Sequence, residues 1–181
     1  MASKALPAAT RGPMLAAAMA RHQPGPISAD ERRARLRRAA EVARRLGFKG
    51  RVEYRHVFST AGGAQYGVGP SPATDLLIVY ADAFQRDADP DDFSLEAIIA
   101  HERGHQFVCR HRRLQRLLSG RHSTASEEIL ASVVGSLLVE ADADREALAL
   151  KAMADAVQCG MAVEEAARLV GQLRSCLESL L

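Results

Sequence analysis

The stretch from Phe93 to Cys109 constrains the chain more than any other, because it sets His101-Glu102-Arg103-Gly104-His105 inside an apolar helical pattern. Ser94 is a favourable N-cap, and the apolar residues that follow recur at helical spacing, which predicts a helix buried on one side. Histidines four positions apart lie on the same face of such a helix. Two imidazoles and a carboxylate within one buried turn cost desolvation free energy unless a partner satisfies them.

The HExxH spacing of these residues predicts a metal site. His101 and His105 are placed to bind one Zn²⁺ through their imidazole nitrogens. Glu102 is rotated about a quarter-turn from His101, so we expect it beside the metal, as the general base that takes a proton from an activated water. The same pattern also arises by chance, and the alternative is a helix with two partly exposed histidines that bind nothing.

A catalytic zinc site needs three protein ligands and one open coordination position, and three downstream residues are candidates for the third ligand. His111 has the spacing of a third histidine, but Val108 stands where a helix-ending glycine would be required. We therefore expect the helix to continue and to carry His111 off the ligand face. Glu140 begins a highly charged segment, which is typical of an exposed first turn of a helix.

Glu128 is the preferred third ligand, because it lies far enough beyond His105 for a loop and an antiparallel return. The face of its helix is small or apolar, which would let that helix pack closely against the HExxH helix; the residues are Ala131, Ser132, Gly135 and Val139. The neighbouring Glu127 should point elsewhere, into solvent. The sequence therefore predicts His101, His105 and Glu128 as metal ligands and Glu102 as the catalytic residue.

The rest of the chain predicts an α+β fold, with a small sheet packed against the HExxH helix and a mostly helical C-terminal half. Residues 1–27 are rich in Ala and Pro and predict a flexible tail, followed by one domain over residues 28–181. Asp30 is expected to cap a helix that ends at Gly47. Two strands are predicted, a half-buried one in residues 51–60 and a central one at 76–80, and His56 in the first is expected to be a hydrogen-bonded packing residue. An acidic turn is predicted at 87–92. Helices are predicted from Ser126, over 144–158 and over 163–180.

Charge and cysteine content narrow the functional classes. The chain has 181 residues and a net charge of +2, with arginines concentrated in residues 32–51 and 110–121. Such patches attract nucleic acid or an acidic partner, but an aromatic content of 4% gives little to stack on bases, so solvated helix faces are favoured. Three cysteines without CxxC spacing predict neither a disulfide framework nor a cysteine zinc site, and fit a cytoplasmic protein. No apolar run approaches the ~20 residues of a membrane span.

The order helix, two strands, HExGH helix and then Glu128-Ile-Leu-Ala131-Ser132-Val-Val134-Gly135-Ser-Leu-Leu138 resembles the ImmA/IrrE-like family of small gluzincin metallopeptidases. The resemblance covers roughly residues 28–140. Ser132 replaces an Asn of the family pattern, which weakens an expected contact behind the ligands, and Gly135 replaces an Ala. Glu140-Ala-Asp-Ala-Asp144 is similar to the HtpX-like membrane gluzincins, whose transmembrane helices the sequence lacks, and in that alignment Glu140 would be the ligand.

The ImmA/IrrE-like resemblance implies a zincin-like fold and a zinc-dependent endopeptidase of the cytoplasm that cuts a protein or peptide partner. An exposed strand near the HExxH helix would hold that substrate by adding it to the sheet. Tyr66, His111 and His122 are the candidates for stabilising the developing oxyanion. The alternative from another class is a non-catalytic regulatory protein that keeps this frame and uses its arginines to contact DNA or an acidic partner.

Overall fold

The computed structural model describes residues 23–59, 62–85, 93–118 and 123–181. Within them the fold is α+β, as predicted, and it consists of six α-helices and one three-stranded mixed sheet. The helices are α1 (Ala29–Arg45), α2 (Leu95–Arg110), α3 (Arg112–Leu117), α4 (Ser123–Leu138), α5 (Asp142–Gln158) and α6 (Val163–Glu178), and the strands are β1 (Arg51–Arg55), β2 (Ala64–Gly67) and β3 (Leu76–Tyr80). No helix in these ranges combines the length and the apolar character needed to cross a bilayer.

The sheet has the order β1-β3-β2, so the uniformly apolar strand β3 is central, as its sequence predicts. β1 pairs with β3 in parallel, and β2 pairs with β3 antiparallel. Leu77 and Val79 of β3 are fully buried in a core shared with α1, α2 and the start of α5. A second apolar core joins the C-terminal half of α2 to α3, α4, α5 and α6. The helix α2 contributes to both cores, so it connects the sheet to the helical half.

Local signals explain most of the helix boundaries. Ser94 caps α2 by accepting a hydrogen bond from the Ala97 amide at 3.0 Å, which confirms the predicted start. The prediction that Asp30 caps α1 is wrong. Ser28 is the N-cap, and its hydroxyl accepts from the Glu31 amide at 3.1 Å, while Asp30 lies within the first turn and pairs with Arg33.

Several predicted elements begin or end at other residues than predicted. β1 ends at Arg55, short of the predicted residue 60, because the chain bends at His56. His56 does have the predicted packing role, since its ring nitrogens lie 2.9 Å from the Tyr54 hydroxyl and 2.6 Å from the Gly25 carbonyl oxygen. α4 begins at Ser123, earlier than the predicted Ser126. Most of the predicted tail and all of the acidic turn lie outside the described residues, and residues 23–27 form no helix or strand.

Most arginines of α1 lie on exposed positions, in agreement with a solvated helix face, whereas Arg35 is half-buried and donates to the Tyr54 hydroxyl. Arg33 pairs with Asp30, Arg35 with Glu31, and Arg45 with Glu96 at the start of α2. Exposed pairs of this kind contribute at most about 1 kcal/mol each. Their presence within α1 and between α1 and α2 gives the arginines a structural use that requires no nucleic acid.

The helices α2 and α4 cross with almost no space between their backbones. Gly104 of α2 faces Ala131 of α4, and a Cβ atom at position 104 would lie far inside contact distance of the Ala131 carbonyl oxygen. Gly135 of α4 faces Ala100 of α2, where an added Cβ would lie 3.0 Å from the Ala100 carbonyl oxygen. The predicted close approach of the two helices is therefore present. Position 104 has no room for a side chain, and at position 135 an added Cβ would displace the Ala100 backbone by a few tenths of an ångström.

A buried carboxylate fixes α2 to the sheet. Asp75, immediately before β3, is fully buried and accepts hydrogen bonds from the Tyr66 hydroxyl at 3.0 Å, the Gln106 amide at 2.8 Å and the Gly69 amide at 2.8 Å. Arg110 at the end of α2 forms an ion pair with it. Burial alone would raise the pKa of Asp75, but these hydrogen bonds, led by those of Arg110 and Gln106, outweigh it and lower the pKa.

Replacing Gly104 with Ala should push α2 and α4 apart. Because the new methyl group meets backbone that cannot rotate away, we expect Gly104→Ala to lower the free energy of unfolding by about 3 kcal/mol or more. Gly171→Ala is the matched control, since Gly171 lies in α6 with no other atom within 4 Å of an added Cβ, and it should stabilise by roughly 0.5–1 kcal/mol. Urea denaturation measures both, and similar small effects would contradict the close crossing.

Replacing Asp75 with Asn should remove the charge that Arg110 and Gln106 hold. We expect Asp75→Asn to lower the free energy of unfolding by about 2–3 kcal/mol at neutral pH. This is the low end for breaking a buried ion pair, because Arg110 keeps some contact with water. A depressed pKa contributes stability above the unfolded value near 3.9, and the contribution disappears as the pH falls through the folded value. The deficit of the variant should therefore shrink below about pH 4. A deficit that stays constant from pH 7 to pH 2 in denaturation experiments would refute this role.

Candidate metal centre

His101, His105 and Glu128 converge at one point between α2 and α4. The Nε2 atoms of the two histidines lie 3.1 Å apart, and the Glu128 carboxylate oxygens lie 3.2 Å from His101 Nε2 and 3.4 Å from His105 Nε2. One ligand atom from each of the three residues lies within 4.8 Å of the others, and they are the one such group found in the described ranges. Glu128 is thus brought to the histidines as predicted, through the close crossing at Gly104 and Gly135.

The other ring nitrogen of each histidine has its own partner. Ser132, fully buried on α4, places its hydroxyl 3.0 Å from His101 Nδ1. Glu127 places a carboxylate oxygen 3.1 Å from His105 Nδ1. Such partners fix the tautomer and the orientation of a metal-binding imidazole, since an Nδ1 that donates its proton leaves Nε2 free to bind.

These contacts overturn two expectations from the sequence. Glu127 does not point away into solvent but faces His105, with its side chain 32% exposed. Ser132, expected to weaken the contact behind the ligands, makes that contact with His101. Consecutive residues on a helix differ in direction by about 100°, so Glu127 and Glu128 reach two histidines from one helix. Two adjacent glutamates opposite two histidines were the feature of the sequence that could have indicated a contact for Glu127.

The donor set fits a divalent metal. When each Nδ1 donates its proton to Ser132 or Glu127, the two Nε2 lone pairs and the Glu128 carboxylate face one another, and a cation between them relieves their repulsion. Tetrahedral zinc with Zn–N distances of 2.0–2.1 Å separates its ligand atoms by about 3.3 Å, close to the observed 3.1–3.4 Å. Two imidazoles and a carboxylate also match the ligand types of catalytic zinc sites.

The charges of the centre favour a cation in the same place. Hydrogen bonds with His101 and His105 hold the pKa of Glu128 well below its usual range. Burial alone would lower the pKa of His105, but Glu128, Glu102 and Glu127 together raise it. Both shifts have one cause, which is that the centre stabilises positive charge, carried by protons when no metal competes for the site.

Glu102 lies beside the centre and not within it. Its side chain is 8% exposed, and it lines the same cleft of about 490 Å³ as His101, His105 and Glu128. Burial raises the pKa of Glu102, and the two histidines and the Tyr66 backbone amide partly oppose that rise. A carboxylate with a raised pKa next to a metal position suits a general base that must hold and release a proton near neutral pH.

The strand β2 forms one wall of this cleft. The Gly63 carbonyl accepts a hydrogen bond from the Tyr80 amide, so residues 63, 65 and 67 direct their peptide groups towards β3. The peptide groups of Ala64 and Tyr66 consequently face the opposite edge, which borders the cleft. Since β2 is an edge strand of this sheet and the Tyr66 amide already donates to Glu102, the Ala64 amide and the Ala64 and Tyr66 carbonyl groups are placed to pair with an added extended chain.

Other sequence candidates lie elsewhere. The helix α2 ends at Arg110, so the prediction that it continues past His111 is wrong. His111 adopts an extended backbone, stacks on Phe107 and lines a separate apolar crevice. Glu140 is exposed beyond the end of α4. Tyr66 lines the cleft, but its hydroxyl donates a hydrogen bond to Asp75. Burial and the Asp75 carboxylate raise the pKa of Tyr66. His122 lies outside the described residues.

Comparison with known proteins adds no identity, because no protein-family model, curated protein or solved structure matches the chain. The account of the centre therefore depends on its own geometry.

Two glutamate variants separate the metal ligand from its rival. Glu128→Ala removes one of three converging donors and should weaken zinc binding by at least about 100-fold, whereas Glu140→Ala should leave it within about threefold. Competition with a chromophoric chelator measures both dissociation constants, and circular dichroism checks that each variant is folded. The reverse order of effects would assign the metal to the segment after α4.

Proposed function

We propose that this protein is a zinc-dependent endopeptidase of the zincin type, similar to the ImmA/IrrE-like gluzincins, that cuts a protein or peptide partner. The observation that carries the proposal is the convergence of His101 Nε2, His105 Nε2 and the Glu128 carboxylate next to the buried Glu102. These three residues would hold the metal. A bound Zn²⁺ would act as a Lewis acid, lowering the pKa of water and polarising the scissile carbonyl.

The chain's own groups account for the proton transfers of hydrolysis. Glu102 takes the proton of the attacking water, because its carboxylate is buried beside the ligands and has a raised pKa. It then gives that proton to the leaving amine, so one carboxyl group serves as base and acid in turn. Ser132 and Glu127 keep His101 and His105 in the tautomer and orientation that binding requires.

Substrate would bind in an extended conformation along β2. The outward amide and carbonyl of Ala64 and the outward carbonyl of Tyr66 supply hydrogen bonds that do not depend on the substrate's side chains. A chain added there would lie in the cleft that His101 and Glu102 also line. Phe93, Ile98 and Val68 give that cleft apolar walls, which would favour apolar substrate side chains near the cut. The three cysteines, none of them in a disulfide, suit the reducing cytoplasm as the place of reaction.

Glu102→Gln tests the proposal by separating metal binding from chemistry. Because the residue acts on water and not on the metal, the variant should keep the fold and its zinc affinity within about threefold. Hydrolysis should fall by at least about 100-fold, at the low end of what a general base contributes. The assay is a library of quenched-fluorescence peptides, with zinc content measured on the same samples. Equal cleavage by wild type and variant would refute the assigned role.

A further inference from the structure

Lys151 of α5 reaches the Glu128 carboxylate of the centre. Its ammonium nitrogen lies 3.4 Å from Glu128 Oε2, and that oxygen is itself 3.2 Å from His101 Nε2. The side chain is 28% exposed and lines the cleft together with Glu102 and the two histidines. Of the cleft-lining residues in the described ranges, it is the one lysine or arginine.

Asp155 holds this ammonium group in position. It lies one turn further along α5, and its carboxylate is 2.8 Å from Lys151 Nζ. An ammonium group has three donors, and Glu128 and Asp155 account for two of them among the described residues. The third is available to a molecule in the cleft.

The proposed reaction places negative charge on the carbonyl oxygen of the substrate. The water oxygen bonds to the carbonyl carbon, the water proton passes to Glu102, and the π electron pair of the carbonyl moves onto its oxygen. Breaking the C–N bond then returns that pair, and the proton goes to the leaving nitrogen. The total charge of the site does not change, but one negative charge leaves Glu102 and appears on the substrate oxygen. A fixed donor near that oxygen lowers the barrier because it needs no reorganisation.

We propose that Lys151 is a further catalytic residue, whose ammonium group donates a hydrogen bond to the oxyanion that forms on the substrate. This inference rests on the proposed peptidase function. It gives the oxyanion a donor that Tyr66 and His111 do not supply, since the Tyr66 hydroxyl is engaged by Asp75 and His111 lines another crevice.

A rival role for Lys151 is to orient Glu128 as a ligand, and the two roles predict opposite results. If Lys151 positions the ligand, its removal should weaken zinc binding by about 10–100-fold. If Lys151 donates to the oxyanion, Lys151→Met should leave zinc affinity unchanged or raise it, because the variant removes the repulsion between the ammonium group and the divalent metal ion. Methionine keeps the length and the helix propensity of lysine. Lys49→Met is the matched control, because Lys49 is exposed and does not line the cleft.

The experiment uses the full chain and two measurements. The first is zinc affinity by chelator competition for wild type, Lys151→Met, Lys151→Arg and Lys49→Met. The second is the affinity of the cobalt-loaded proteins for inorganic phosphate, a tetrahedral anion, followed by the visible spectrum at constant ionic strength. We expect Lys151→Met to retain the metal and bind phosphate at least about 10-fold more weakly, Lys151→Arg to recover most of that loss, and Lys49→Met to match wild type. On the best-cleaved peptide, Lys151→Met should lower kcat by about 100-fold or more with little change in KM.

The outcomes separate this inference from the function on which it rests. A wild-type protein that takes up no zinc overturns the peptidase proposal and the role of Lys151 with it. Zinc uptake by wild type with equal phosphate affinity and equal kcat in Lys151→Met overturns the role of Lys151 alone. Zinc binding weakened 10-fold or more in Lys151→Met also overturns it, because the lysine would then act through Glu128.

Discussion

The contact on which the rest of the site depends is the backbone crossing of α2 and α4. Gly104 and Gly135 let the two helices meet without side chains between them, against Ala131 and Ala100. A glutamate side chain reaches only a few ångströms from its own helix, so Glu128 meets His101 and His105 because the helices are this close. The same approach brings Ser132 to His101 Nδ1 and Glu127 to His105 Nδ1. The convergence of these three residues, and of the partners of the two histidines, therefore follows from one packing contact.

A second constraint fixes α2 against the sheet. Asp75 accepts hydrogen bonds from β2, from the loop before β3 and from the last turns of α2. The network therefore joins parts of the chain that are distant in sequence. A buried carboxylate is costly unless it is fully hydrogen-bonded, so this network has little freedom to rearrange. It sets the position of α2 relative to β2, and hence the position of Glu102 relative to the edge of β2 that borders the cleft.

The elements that the sequence predicted well are those with a local signal. Ser94 and the apolar pattern after it predict α2, the apolar run Leu76–Tyr80 predicts β3, and the small residues around Glu128 predict the close approach of α4. The cap of α1 was missed although Ser28 and Glu31 have capping-box spacing. The Asp75 network and the contact of Lys151 with Glu128 join residues from distant parts of the chain, and helical or strand periodicity contains no information about such pairs. Glu127 was misplaced because a helical wheel alone does not show that two neighbouring glutamates reach different histidines.

The central claim is that two imidazoles and one carboxylate of this chain form a zinc site with an open position. X-ray absorption at the zinc K-edge of protein titrated with one equivalent of Zn²⁺ tests it most directly. The account predicts stoichiometric uptake, nitrogen and oxygen neighbours at about 2.0–2.1 Å, and the outer-shell scattering of two imidazoles. Failure to retain one equivalent of zinc, a sulfur neighbour near 2.3 Å from one of the cysteines, or the scattering of a third imidazole would contradict it.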